Sequence, residues 1–171
     1  MIYDLLKNNI KKTFSDNNYE DCNYYLRELL KTTIVDTDSD LEDKNDIVWY
    51  YYFYKANIFN NIKKYNMAFK FLLRSFKFIN IEYRDGLNSD YKMSLYLLAK
   101  IFENQNKNKQ AIKTYEYMFK ITRNKKQQML LFYNICCLKH DNEIFTIEKK
   151  YLNCYNSNIK EDLSFSQYFA S

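Results

Sequence analysis

One ladder of residue types occurs twice in this chain, as Ala56, Phe59, Ala68, Leu72, Ser75 and again as Ala99, Phe102, Ala111, Tyr115, Met118. In both copies a small residue is followed at +3 by an aromatic, at +12 by an alanine, at +16 by a bulky apolar residue and at +19 by a smaller one. That register describes two antiparallel helices whose small residues let the backbones approach while the bulky ones fill the gaps. A looser copy precedes the two clear ones, with Ile10, Cys22, Leu26 and Leu29 in the small, small, bulky and small places and Tyr19 three before Cys22, as Tyr65 is three before Ala68. The expected fold is therefore all-α, antiparallel helix-pair repeats forming a solenoid of about eight or nine helices.

Composition supports an almost wholly helical chain. Proline is absent and Gly86 is the single glycine of 171 residues. An all-β fold needs many tight turns, and this chain lacks the residues for them, so Asn, Asp and Lys are expected in the connections. One domain spanning 1–171 is expected. Periodicity places helices near 3–14, 18–33, 47–61, 64–81, 89–104, 107–122, 126–139 and 142–155, with a short terminal helix at 161–169. An acidic loop is expected near 35–46 and a second loop around Gly86. The pairs are thus about 3–33, 47–81, 89–122 and 126–155, the last a capping repeat.

Charge is unevenly distributed. Six acids between Asp36 and Asp46 face only Lys44, a local net of −5, so the rest of the chain carries +10 of the overall +5. No apolar run approaches the roughly 20 residues that cross a bilayer, and MIYDLLKNNIKK lacks the basic-then-apolar order of a signal peptide, so a cytoplasmic protein is expected. The richness in Lys, Asn, Ile, Tyr and Phe matches coding by an AT-rich genome, which weakens asparagine as a functional sign.

The central copies resemble tetratricopeptide repeats: Ala56/Ala68 and Ala99/Ala111 stand at that family's paired small positions, and KYNMAFKFLLRSF and NKQAIKTYEYMF resemble its second helix. Ala68 and Ala111 are 43 residues apart, against a usual period of about 34, so the copies are longer variants. FYNICCLKHDN also resembles the opening of repeats in Gram-positive peptide-sensing regulators of the Rap, NprR and PlcR type. Those regulators carry an effector domain ahead of the repeats, for which this chain has no room. The resemblance covers about residues 47–155. It implies a non-enzymatic, cytoplasmic adaptor or regulator that binds a peptide or protein in a concave groove. Two settings fit it, a bacterial signalling system and a phage- or plasmid-encoded inhibitor.

In the tetratricopeptide register the groove-facing positions are Tyr50, Phe53, Asn57, Asn60 and Asn61 on one helix, then Met93, Tyr96, Lys100, Glu103 and Asn104 on the next first helix, and Leu130, Tyr133, Asn134 and Cys137 on the last. Asn side chains can pair both N–H and C=O of an extended peptide, and rings can enclose its side chains. Against this stands a second reading of the run Trp49–Tyr54, whose aromatics cover every side of their helix: the same face is packed under neighbouring helices. A carboxylate clamp of the chaperone-binding type is not expected, because Phe53, Met93 and Tyr96 stand where polar or basic residues are wanted.

Other chemistry is poorly supported. Asp36, Asp38 and Asp40 resemble the opening of a calcium loop, but Leu41 replaces its glycine and Ile47 its closing glutamate. Cys22, Cys136, Cys137 and Cys154 form no CxxC pair and have only His140 for company, so neither a zinc site nor a Cys–His nucleophile is expected. A phosphate-cradling glycine loop is impossible with one glycine. No catalytic residue, metal or cofactor is expected. The alternative function is a basic repeat protein that binds nucleic acid or a nucleoprotein complex through Lys107, Lys109, Lys113, Lys120, Arg123, Lys125 and Lys126, although helical geometry spreads these over more than one face.

Overall fold

A computed structural model describes residues 2–35, 41–79 and 89–139 of the chain. They form seven α-helices and one short 3-10 turn: α1 (Ile2–Ser15), α2 (Tyr19–Val35), α3 (Leu41–Asn61), α4 (Tyr65–Ser75) with the 3-10 turn Phe76–Phe78, α5 (Ser89–Asn104), α6 (Asn108–Ile121) and α7 (Lys125–Leu138). No strand occurs among the described residues. The all-α expectation holds at this level, with seven helices among the described residues. The helices expected at 142–155 and 161–169, and the loop around Gly86, lie outside the described residues.

Two boundaries are corrected. Residues 41–46, expected in the acidic loop, belong to α3. A helix start tolerates acidic residues well, because the positive end of the macrodipole lies there, so a run of acids is a poor loop signal. The helix expected over 64–81 ends at Ser75, tightens into the 3-10 turn and gives way at Ile79 to extended backbone with φ −83° and ψ 123°.

The same turn is built three times. Asn17, Lys63 and Asn106 hold left-handed backbone at φ 57°, 62° and 57°. The N–H of each following residue, Asn18, Lys64 and Lys107, reaches back to the carbonyls of Thr13, Phe59 and Phe102 at 2.9, 2.8 and 2.8 Å. The left-handed residue itself donates to Phe14, Asn60 or Glu103 at 3.1, 3.0 or 2.8 Å. Together these bonds close the helix end in a Schellman arrangement, usually the province of glycine. This chain uses Asn twice and Lys once. The carbonyls of Asn18, Lys64 and Lys107 then accept from Cys22, Ala68 and Ala111 at 3.0, 3.0 and 3.1 Å, which starts the returning helix.

Each of these turns brings its two helices into close packing, α1 on α2, α3 on α4 and α5 on α6. The ladder residues sit where the helices meet: Ile10, Cys22, Leu26, Leu29, Ala56, Ala68, Leu72, Ser75, Ala99, Ala111 and Tyr115 are fully buried, and Met118 nearly so. α2 on α3, α4 on α5 and α6 on α7 join the pairs in chain order.

α3 touches α2, α4 and α5. A helix surrounded on so many sides must be apolar nearly all round, which explains the aromatic run. Trp49, Tyr50 and Phe53 are buried, Tyr51, Tyr52 and Tyr54 half-buried. Trp49 stacks on Phe53 with ring centres 5.1 Å apart. Its indole N–H donates to Ser94 Oγ at 3.0 Å, a buried polar link from α3 to α5.

Candidate functional site

A cleft of about 470 Å³ opens where α3, α5 and α7 converge over the end of α6. α3 contributes Phe53, Asn57, Asn60 and Asn61, residues spaced by four, three and one so that they share a helix face. Lys92, Met93, Tyr96, Leu97 and Lys100 of α5 form the facing wall. Gln127, Leu130 and Leu131 of α7, Met118 of α6 and Thr122 just after α6 complete it.

α7 is held in place by capping. Asn124 Oδ1 accepts the N–H of Gln127 at 3.1 Å and so starts the helix. Gln128 Nε2 donates to the carbonyls of Phe119 and Thr122 at 3.3 and 2.7 Å, which ties the start of α7 to the end of α6.

The amides on α3 are partly committed. Asn57 Nδ2 donates to the Phe53 carbonyl at 3.1 Å, so its Oδ1 remains as an acceptor. Asn60 Oδ1 takes a bond from Asn104 Nδ2 at 3.0 Å, which leaves the Asn60 amino group as a donor. Asn61 Nδ2 donates to the Tyr19 hydroxyl at 3.0 Å, again leaving an acceptor. One wall of the cleft thus offers an acceptor, a donor and an acceptor.

The opposite wall carries charge. Lys100 Nζ pairs with the Glu103 carboxylate at 3.0 and 3.2 Å and lies over the rings of Tyr96 and Tyr115 at 5.6 and 6.0 Å. Glu103 also accepts a short hydrogen bond from the Tyr115 hydroxyl. Burial, followed by the bond to Glu103 and its negative charge, pushes the Tyr115 hydroxyl far above the ordinary tyrosine range, so it stays neutral. Lys92 has no ion-pair partner among the described residues, and no acid lines the cleft.

Of the groove residues expected from the register, Phe53, Asn57, Asn60, Asn61, Met93, Tyr96, Lys100 and Leu130 line this cleft. Six lie elsewhere, Glu103 and Cys137 among them. Tyr50 faces α1, is 8% exposed and donates its hydroxyl to the Lys7 carbonyl at 3.3 Å. Its ring meets Trp49 and Tyr54 and lies under the Lys7 ammonium, which makes it a core residue. Asn104 sits beyond the cleft at the end of α5, joined to Asn60. Tyr133 is exposed on α7, outside the cleft. Asn134 Nδ2 is buried with no hydrogen-bond partner among the described residues and does not line the cleft. Phe53 lines the cleft but is itself only 7% exposed.

Lys92, Leu97, Met118, Thr122, Gln127 and Leu131 were not among the expected site residues. Leu97, Met118 and Leu131 are apolar helix positions that look like ordinary core in sequence, and only the convergence of helices exposes one side of each.

Among the described residues no group of three or more His, Cys, Asp and Glu is arranged to hold a metal. The Asp36–Asp40 motif, His140 and Cys154 lie outside them. Cys22, Cys136 and Cys137 form no disulfide among the described residues, and burial raises the thiol pKa of Cys22. Lys107, Lys109, Lys113, Lys120, Arg123, Lys125 and Lys126 are all exposed, distributed along α6, the following link and the start of α7. No helix among the described residues is long and apolar enough to cross a membrane.

No family model matches the chain, and comparison with curated proteins and with solved structures returns no match.

Proposed function

We propose that the chain is a non-enzymatic adaptor or regulator, cytoplasmic, whose helix pairs are tetratricopeptide-like repeats and whose cleft between α3, α5 and α7 binds a peptide or a segment of another protein. The observation that carries this reading is the cleft itself: an amide row on α3 faces Met93, Tyr96 and Leu130 across an opening large enough for several side chains. An extended peptide has donors and acceptors along its backbone and side chains on alternate sides, so it can use the amides for its main chain and the apolar wall for anchors. The repeat part of the reading is supported by the three equivalent turns and by small or compact residues at equivalent buried places, Cys22, Ala68 and Ala111.

Selection from a random peptide library on the intact protein tests it. Selected peptides are expected to bind wild type and to lose about tenfold or more affinity to Met93→Ala and Asn57→Ala, both with near-native melting. Peptides that bind both variants as tightly as wild type would exclude the cleft.

A further inference from the structure

A second recess, of about 550 Å³, shares no lining residue with the cleft and lies where the α3–α4 and α5–α6 turns sit side by side. Gln105 Nε2 donates to Asn66 Oδ1 at 3.3 Å across the junction, and Asn104 bonds Asn60 just beside it. Seven of its nine lining residues are Lys, Asn or Gln. Lys63 and Lys64 come from one turn and Lys107 from the other, all exposed and none with an ion-pair partner among the described residues.

The absence of acid here extends well beyond the recess. Residues 47–79 hold six lysines and arginines and no carboxylate. Across 91–139 ten cations face two carboxylates, Glu103 and Glu116, and both of these are engaged, by Lys100 at 3.0 Å and Lys139 at 3.4 Å. A concave site without counter-charge, set in a strongly positive part of the chain, concentrates anions and releases their counterions on binding. α4 and α6 also begin at this recess with no side-chain cap and no acid in the first turn, whereas Asn18 caps α2 and Asn124 caps α7. Their first N–H groups add partial positive charge beside the lysines.

We infer that this recess binds the phosphodiester backbone of a nucleic acid, held by Lys63, Lys64 and Lys107 and positioned by the Asn66 and Gln105 amides. The recess favours a strand over a bilayer because lysines on two walls reach a backbone laid between them, whereas a flat surface meets only the rims. It favours a strand over a protein partner because it offers few apolar anchors, which protein interfaces need at their centre. Lysine and amide contacts to phosphate fix position without reading sequence, so the recess discriminates little between sequences.

The test is fluorescence anisotropy of short labelled single-stranded and duplex oligonucleotides, with the full chain titrated over a range of salt. The variant Lys63→Asn/Lys64→Gln/Lys107→Gln removes three charges while keeping at residue 63 a side chain that tolerates left-handed backbone. Its affinity is expected to fall on the order of tenfold or more at low salt, and the slope of log affinity against log salt is expected to shrink by about 2 to 3, since each lost phosphate contact removes about 0.7 to 0.9. Lys113→Gln/Lys120→Gln/Lys126→Gln, with the same charge loss elsewhere, is expected to retain most of the affinity. Met93→Ala in the cleft is expected to bind the oligonucleotides like wild type, which separates this surface from the peptide site. Any one of four results would overturn the inference: no binding by wild type at low salt, equal loss in both triple variants, a recess variant that binds like wild type, or tighter binding to phosphatidylserine vesicles or polyglutamate than to either oligonucleotide.

Discussion

Phe53→Ala separates the two readings that the aromatic run on α3 invites. The ring is 7% exposed and stacks on Trp49 at 5.1 Å with an interplanar angle of 21°, while Tyr54 meets it edge-on at 5.7 Å. Truncation removes the ring from a site where the rigid indole, fixed by its bond to Ser94, cannot collapse into the space. Phe→Ala in such a setting costs about 3–5 kcal/mol through lost transfer energy and a residual cavity. At about 2–4 °C per kcal/mol for a chain of this size, melting is expected to fall by roughly 6–20 °C. Asn57→Ala, one turn further along the same face, loses a half-buried side chain and one bond to the Phe53 carbonyl, worth about 1 kcal/mol. The assay is thermal unfolding followed by circular dichroism, on both variants in parallel. A Phe53→Ala variant that melts within about 2 °C of wild type would refute the core assignment, because that shift corresponds to no more than about 1 kcal/mol.

Ala111→Phe, and likewise Ala68→Phe, inserts a ring where there is no exposed surface at all, and each is expected to cost about 1–3 kcal/mol or more by overpacking, measured as a lower denaturant midpoint. Lys63→Gly is expected to raise stability by up to about 1 kcal/mol, because glycine holds left-handed backbone without the Cβ conflict that lysine carries at φ 62°; a lower melting temperature would show that the turn is not limiting. The buried hydroxyls of Tyr50 and Tyr115 have pKa values raised above 10, desolvation being the largest cause in each. Their neutral forms therefore stabilise the fold fully below the unfolded-state value of about 10, and that stability is lost as pH rises above it. Melting temperature is expected to hold to about pH 9 and then to fall, with a smaller alkaline fall in Tyr115→Phe.

Among the described residues, periodicity placed the seven helices, though not the start of α3 or the end of α4. Ala56, Ala68, Ala99 and Ala111 recur at one register because small residues let the paired helices approach closely, and that constraint is local enough to leave a mark on the chain. The near absence of glycine and proline likewise foretold turns made by Asn and Lys, as Asn17, Lys63 and Asn106 show. The start of α3 was hidden because acidic residues suit a helix start as well as a loop. The candidate cleft was legible on α3 and α5, where Asn57, Asn60, Asn61, Met93, Tyr96 and Lys100 share faces by spacing. Tyr50 was misplaced by the same spacing, since a register says which residues share a face but not which neighbour covers it; Lys7 of α1 meets Tyr50 there. Gln127 and Leu131 of α7 and the recess formed by Lys63, Lys64 and Lys107 depended on tertiary packing. Both bring together residues more than 25 positions apart, and no local pattern in a single chain records how far two helix pairs turn against each other.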